Sequence, residues 1–520
     1  MSQDQATGGA AEDGAPAATP RVVSGFRRVT ERTATRATAP ISTDVLGTGV
    51  LYYALVEGEV WVSASVRALC GVLGAVSLDA LALPEALAFG YPLRERTIVS
   101  EVRTIPAHAT LHPDGRLDRH PGPRATATIA DADVAATRAR GLLEDVIAGE
   151  EPRFGVHCAG LTGGRDSRIL AALPKAHEDA WHWLSVTGAN DAEHAGSLAA
   201  AARLALPHHA WLEWKADYLD GLVRESADLA DGLGAVSDAS LLSGNFARYR
   251  AGVLGRAVDD REVVLWLGTL GDELLSGTWL PPHVSAATTI WDAITPRTAS
   301  LPRVLAPPVL EQFADEGAYY RSNPFDLEAP SDADTGFLIR QLTRGRGYLC
   351  RMVQSFDRVC PTHLNPYMHP AMIELVLALD PSLRMTDAVR TAMLRALGPD
   401  LDAPSAYGFA APPYATHVLR AVLDEVPRCA LLDGVLDAGF LAGLRRGELR
   451  DLATPGERGK PAYRVHSDTS PLVRSLRDYE HLLTYAAFLN LLVDDGVQVR
   501  GLDGAVAGGI GGARRGRVAP

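Results

Sequence analysis

Thr162-Gly163-Gly164-Arg165-Asp166-Ser167-Arg168 follows the apolar run Phe154-Gly155-Val156-His157-Cys158-Ala159-Gly160-Leu161 and precedes Ile169-Leu170-Ala171-Ala172-Leu173. The pattern implies a strand, a tight glycine turn and the start of a helix. Glycine has no Cβ to hold a ligand away, and a turn feeding a helix aims unpaired N–H groups at one spot, the geometry that binds an anion. Thr162 and Ser167 add hydroxyl donors. Asp166 is out of place in such a set, because a carboxylate repels phosphate unless a metal ion lies between them. Magnesium pyrophosphate, and hence a nucleotide, is the economical ligand. Taken alone, the heptapeptide also fits an ordinary helix-starting turn.

The turn lacks the Gly-Lys-Ser/Thr ending of a Walker loop and the spacing of a dinucleotide fingerprint. It resembles the S-G-G-x-D-S loop of the ATP pyrophosphatases, which cleave ATP between the α and β phosphates and place AMP on a substrate oxygen. The resemblance implies ATP and Mg2+ as cofactors. It implies nucleotide contacts from Leu161, Thr162, Gly163, Gly164, Arg165, Asp166 and Ser167.

Of 520 residues, 47% are hydrophobic and 22% charged, enough for two domains with sizeable cores. No 18-residue apolar run and no signal-peptide pattern occurs, so no membrane is expected and the location is cytoplasmic. Cys70, Cys158, Cys350, Cys360 and Cys429 are scattered, supporting neither a disulfide framework nor a zinc site. Net charge is −13 and the lysines are Lys175, Lys215 and Lys460, so nucleic acid is a poor partner.

Residues 1 to about 20 carry almost no large apolar side chains and cannot repay the entropy of ordering; the tail is drawn to residue 40. Val50 to Val56, Glu57-Gly58 and Glu59 to Ala64 read as a hairpin, followed by a short helix from Ser65 to Val72. Ala109 to His112, Pro113-Asp114-Gly115 and Arg116-Leu117 read as another. Asp131 to Gly149 reads as a linking helix with Val134, Leu142 and Val146 on one side. Trp181 to Thr187 is a buried strand, Gly188 to Glu193 a turn, and an alanine-rich helix ends near Leu204. Strand, loop, helix, repeated, indicates a parallel sheet with its ligand site at the carboxyl ends of the strands.

Leu46-Gly47-Thr48, Leu51-Tyr52-Tyr53, Ala64-Ser65, Arg67-Ala68-Leu69 and Ala88-Phe89-Gly90-Tyr91 look like the later part of the glutaminase domain of asparagine synthetases. Those domains need a cysteine directly after the initiator methionine; here Ser2 follows Met1 and the family's opening strands are missing. The resemblance therefore implies a degenerate domain that does not hydrolyse glutamine. Leu267-Gly268-Thr269-Leu270-Gly271-Asp272-Glu273-Leu274 resembles that family's second acidic turn, which implies Asp272 as a second Mg2+ ligand beside Asp166, with Leu267, Gly268 and Gly271 against the nucleotide. Without the family, Asp272-Glu273 reads equally as a charge pair at a helix N-terminus. Thr187-Gly188 and His208-His209 match the segment that closes over adenosine in that family; read alone, the adjacent histidines point to opposite faces of a strand and are unsuited to share a metal. Phe356-Asp357-Arg358, Asn365 to Leu379 and Tyr407-Gly408-Phe409 look like its later segments.

The fold class expected is α/β: a degenerate Ntn-hydrolase-like β-rich domain (41–125), then a parallel-sheet ATP pyrophosphatase, or adenine nucleotide α-hydrolase-like, synthetase domain (126–500) with a helical C-terminal part, between flexible tails 1–40 and 501–520. Three departures bear on chemistry. Thr269 replaces an acidic residue or tyrosine and is a poor base. The lysine that steadies the adenylate is replaced by Ala406 or Tyr407, leaving Arg390, Arg165, Arg168 and Lys460 as candidate cations, although Lys460 also reads as a solvated loop lysine. His369 stands where the family has Asp. The catalytic set expected is Asp166, Asp272, Arg390 and Lys460. The function expected is an AMP-forming amide ligase or cyclase that joins a substrate carboxylate to a substrate amine, on a small molecule or ribosomal peptide. It resembles the lasso-peptide macrolactam cyclases more than the β-lactam synthetases, with a leader-peptide-binding or protease partner. The alternatives are an ammonia-using asparagine synthetase and a non-catalytic nucleotide-binding homologue.

Overall fold

Side-chain alternation builds the first 125 residues of the computed structural model, which describes residues 21–29, 32–187, 191–213, 223–233, 262–276, 300–322, 331–354, 356, 360, 362–384, 386–398, 401–402, 409–410, 415–452, 465–466 and 475–502. The strands in order are β1 (Arg21–Val23), β2 (Arg27–Val29), β3 (Thr35–Arg36), β4 (Ile41–Thr43), β5 (Tyr52–Val56), β6 (Glu59–Ser63), β7 (Ala75–Ser77), β8 (Val102–Thr104), β9 (Ala109–Leu111) and β10 (Leu117–Arg119). In β5, Tyr52 and Ala54 are buried while Leu55 is exposed, the period of two that a half-buried strand requires. The expected hairpins form as β5–β6 and β9–β10. Glu57 and Gly58 turn between β5 and β6 at φ 52° and 84°, the left-handed pair whose twist suits a two-residue connection. Two four-stranded sheets result, β1-β4-β9-β10 and β3-β6-β5-β8, joined by an apolar cluster that includes Ile41, Val60, Val62, Ile105 and Leu111. The helix Val66–Leu73 follows, with Ser65 accepting from the Ala68 N–H as its N-cap.

Five parallel strands form the larger sheet: β11 (Val156–Gly160), β12 (Trp181–Thr187), β13 (His209–Glu213), β14 (Val263–Trp266) and β15 (Thr362–Leu364). Their spatial order is β13-β12-β11-β14-β15, so the winding reverses between β11 and β14. In open α/β sheets ligands bind at such a reversal, outside the carboxyl ends of those two strands. Within the sheet, His157 stacks on Trp181, which in turn stacks on Trp183, and His157 Nδ1 accepts from Trp266 Nε1 at 3.0 Å. Burial pulls the His157 pKa down to about 4, keeping the ring neutral.

Several boundaries differ from expectation. Within the stretch expected as a tail, β1 pairs with β4 and β2 adds antiparallel to β15 at the edge of the large sheet. Those hydrogen bonds join segments far apart in sequence, and composition does not reveal them. The linking helix runs Ala132–Glu150 from an Asp131 cap and includes Gly149. Its buried face is Ala135, Ala139, Leu143, Val146 and Ile147, while Val134 is 45% exposed. Alanines form part of that face because the helix Ala388–Leu397 packs against it. At the far end of the chain β18 (Gln498–Arg500), after β16 (Phe409–Ala410) and β17 (Val465–His466), pairs with β7. The helix Leu476–Asp494 packs on the helices Val66–Leu73 and Ala82–Phe89. All five cysteines are buried and none forms a disulfide. No helix among the described residues is long and apolar enough to cross a membrane.

Candidate functional site

Two turns leave the switch point side by side. The first runs from Leu161, buried at the end of β11, through Thr162, Gly163 and Gly164 into the helix Arg165–Ala172. Its donors are engaged within the turn: the Thr162 N–H donates to Ser167 Oγ and the Gly164 N–H to Thr162 Oγ1, both at 3.0 Å. Thr162 Oγ1 and Ser167 Oγ also lie 3.0 Å apart. The hydroxyls expected to donate outward therefore also accept within the turn and shape it.

The second turn leaves β14 at Leu267, whose N–H donates to Leu364 O, and enters the helix Gly271–Leu275. Leu270, buried, sits at φ 73°, a left-handed conformation that costs about 1 kcal/mol or more for a residue with a Cβ. Gly271 follows for a steric reason. A Cβ there would lie 2.7 Å from Asp166 Cγ, so only glycine allows the two turns to touch. Gly268 is less constrained, its nearest Asp166 atom 3.6 Å from such a Cβ. From β15, Asn365 Nδ2 donates to Thr269 O at 2.7 Å, and Tyr367 Oη donates to Asp166 O at 3.2 Å. Both residues are fully buried, so two switch-point turns and the neighbouring strand end are fixed together.

Asp166 and Asp272 meet on one cation. Arg390, on the helix Ala388–Leu397, places Nη1 3.0 Å from Asp166 Oδ1 and Nη2 2.5 Å from Asp272 Oδ1. Its side chain is 6% exposed, those of Asp166 and Asp272 18% and 23%. Nη2 also lies 2.9 Å from Ser276 Oγ, which reaches Asp272 Oδ1 at 2.9 Å. Asp387 contacts the same guanidinium, accepting from Nε at 3.1 Å, and is held from the other side by Arg165 Nη1 at 2.5 Å. Arg165 reaches Asp402 as well, at 3.3 Å. Burial raises the Asp166 pKa to about 6; Arg390 opposes the shift and Asp272 adds to it. Burial raises Asp272 too, again against Arg390. Burial acts to raise Asp387, but its hydrogen bond and charge contact with Arg390 outweigh that and hold it below the usual range. Burial acts against the charge on Arg390, and the three carboxylates around it more than compensate.

Of the candidate cations, Arg390 alone among the described residues lies against both carboxylates. Arg168 turns away, donating to Gly164 O and Leu401 O. Arg165 faces Asp387 and Asp402. Thr187 ends β12 opposite Glu213. Gly188, Asp357, Arg358, Ala406, Tyr407, Gly408 and Lys460 lie outside the described residues. His209 Nε2 pairs with Ser185 Oγ at 2.7 Å, while the His208 ring stacks on His182, so the two histidines serve different contacts. His369 is a helix cap: its Nδ1 accepts from the Ala371 N–H at 3.3 Å and its ring meets Phe26 edge-on. Asp387, Ser276 and the side chains of Asn365 and Tyr367 were not singled out from sequence. Asp387 alone left a signal, its i,i+3 spacing from Arg390.

Asp166 and Asp272 are hard oxygen donors, the ligand type that Mg2+ takes together with phosphate oxygens and water. Among the described residues no cluster of three or more His, Cys, Asp or Glu forms a metal cage, so the ligand set would need that outside contribution.

No protein-family model and no curated protein matches the sequence. Among solved structures, an NAD+ synthetase from Burkholderia pseudomallei is similar at 13% identity, over 45% of this chain and 91% of that one, with a TM-score of 0.20. The class that the architecture itself defines is a mixed α/β protein with a parallel sheet and two acidic turns at its switch point.

Proposed function

We propose that this chain is an ATP-dependent carbon–nitrogen ligase that activates a substrate carboxylate as its adenylate, releasing pyrophosphate, and passes the acyl group to an amine with release of AMP. The observation that carries the reading is the meeting of Asp166 and Asp272, from different strand ends, on a single cation at the sheet's switch point. ATP is the substrate such a switch point favours, with phosphates toward the glycine turn and the helix N-terminus. Mg2+, when bound by these two carboxylates, would supply charge neutralisation for the leaving pyrophosphate. The protein's own contributions are positional: Gly271 keeps the turns in contact, Asn365 and Tyr367 hold them against β15, and Arg390 supplies a buried positive charge. Thr269 is un-ionised at neutral pH and does not act as base.

The finer proposal is a cyclase or ligase of specialised metabolism, of the lasso-peptide macrolactam type, whose amine is already on the substrate. All five cysteines are buried, and burial pushes Cys70 and Cys429 up to about 12, so no thiol is poised to release ammonia from glutamine. A peptide substrate and a leader-binding or protease partner belong to this finer proposal. The test is Mg2+-dependent ATP binding by calorimetry, followed by ATP–pyrophosphate exchange with a panel of carboxylates and peptides. Asp166→Asn and Asp272→Asn are each expected to weaken MgATP binding at least tenfold. Binding that is indifferent to both substitutions overturns the proposal.

A further inference from the structure

Taking Asp166 and Asp272 as the cation-holding pair, we propose that Arg390 is a built-in competitor for the divalent cation. It lies against both carboxylates and is displaced toward Asp387 when the cation binds. Three features of the geometry carry this. First, Arg390 uses Nη1 and Nη2 on the inward oxygens, Oδ1 of Asp166 and Oδ1 of Asp272. A magnesium ion needs carboxylate oxygens at about 2.1 Å, and a guanidinium already in contact with both leaves no room for it. Second, the charges favour exchange. Arg390 brings one positive charge to two carboxylates, and a divalent ion brings two.

Third, the displaced side chain keeps a counter-ion. Its Nε already donates to Asp387 Oδ1 at 3.1 Å, and Asp387 stands three residues before it on the same helix end, fixed in turn by Arg165. Arg390 can therefore release Asp166 and Asp272 without leaving its own charge buried and unpaired, the event that makes breaking a buried ion pair expensive. The phosphates of ATP add oxygen ligands for the metal and a second anion for the freed guanidinium. Cation and nucleotide consequently bind together, while free divalent cation alone is held weakly.

The experiment titrates the full chain, without nucleotide, with Mn2+ and reads free Mn2+ by electron paramagnetic resonance. Wild type, Arg390→Met and Arg390→Lys are compared, each with and without Asp272→Asn, and circular dichroism checks folding. Arg390→Met is expected to bind one Mn2+ at least tenfold more tightly than wild type. Arg390→Lys, whose point charge cannot bridge both carboxylates, is expected to fall between them. Asp272→Asn is expected to remove the site in every background. If wild type and the Arg390 variants bind Mn2+ equally at a site that Asp272→Asn removes, the competition is refuted while the acidic pair stands as the cation site. If no background shows a site sensitive to Asp272→Asn, the cation-site reading falls as well. Should Arg390→Met not fold, the comparison of wild type with Arg390→Lys decides.

Discussion

Gly271→Ala tests the site with one methyl group. The added Cβ would stand 2.7 Å from Asp166 Cγ and 2.9 Å from its Oδ1, against 3.4 Å for ordinary contact. Gly271 is not among the residues at positive φ, so alanine brings no backbone strain of its own. Relief requires the Asp166 carboxyl to retreat by about 0.7 Å, the difference between that contact and a van der Waals one. It cannot retreat without loosening the 3.0 Å contact to Arg390. A hydrogen bond to a charged group contributes about 1.5–3 kcal/mol, and part of that is lost. Misplacement of this size at a reacting centre costs up to about 100-fold in rate. The expected result is therefore a melting temperature lowered by only a few degrees, with ATP–pyrophosphate exchange and MgATP affinity falling much further. Wild-type nucleotide binding in folded Gly271→Ala would refute the claim that the contact between the two turns positions Asp166. A variant that loses fold and binding in proportion would refute the claim that the contact is functional rather than structural.

Two further outcomes are expected. Asn365→Ala removes the donor to Thr269 O and the acceptor of the Tyr367 N–H. With both groups buried, urea unfolding should show a loss of about 1–3 kcal/mol, and MgATP affinity should fall as the second turn loosens; unchanged stability would exclude the tie between strand end and turn. Glu85 is buried beside Arg96, and burial raises its pKa to about 8, only partly offset by that arginine. A raised folded pKa gives stability that is complete below the unfolded value of 4.5 and is lost as pH rises through 8. Melting temperature should therefore decline between pH 5 and about 9 in wild type, by the equivalent of a few kcal/mol at about 1.4 per pKa unit. Glu85→Gln should flatten that decline, and a parallel decline in both proteins would contradict it.

Local signals in the sequence were legible and long-range pairing was not. The glycine turn between an apolar run and a helix, the hairpin at Glu57-Gly58 and the strand from Trp181 to Thr187 each rest on a few adjacent residues, and the structure places them as read. The parallel sheet followed from the alternation of strands and helices. By contrast, β2 joining β15 and β18 joining β7 depend on which distant edges were left uncovered, a property of the finished fold. The linking helix was read with Val134 inside because valine is apolar, yet alanine is what a close helix neighbour can accommodate. Leu270 could not be read at all, since nothing local announces that a leucine will adopt a left-handed conformation. Within the site, the acidic turns and Arg390 were visible as residue types. That one guanidinium would span both carboxylates was not, because its three carboxylate partners follow from three separate elements converging.

That convergence separates a structural ion network from a chemical one. A network whose only task was to hold the helix Ala388–Leu397 against the glycine turn would gain little over apolar side chains, since desolvating charges costs several kcal/mol per ion and replacing a buried ion pair by apolar residues is often neutral or stabilising. Apolar residues already do this work nearby, where Leu267, Leu270 and Leu274 are buried in the same turn and helix. Here, instead, Asp166 and Asp272 both contact the Arg390 guanidinium, and burial raises the Asp166 pKa to about 6. Two carboxylates meeting one guanidinium at the reversal in strand order are the arrangement that carries the proposed exchange of counter-ion. The left-handed Leu270 and the Cβ-free Gly271 are the backbone accommodations that let the pair approach. If the pair were structural, the stability lost on Arg390→Met should exceed any gain in cation affinity; if chemical, the gain in affinity should appear in a chain that still folds.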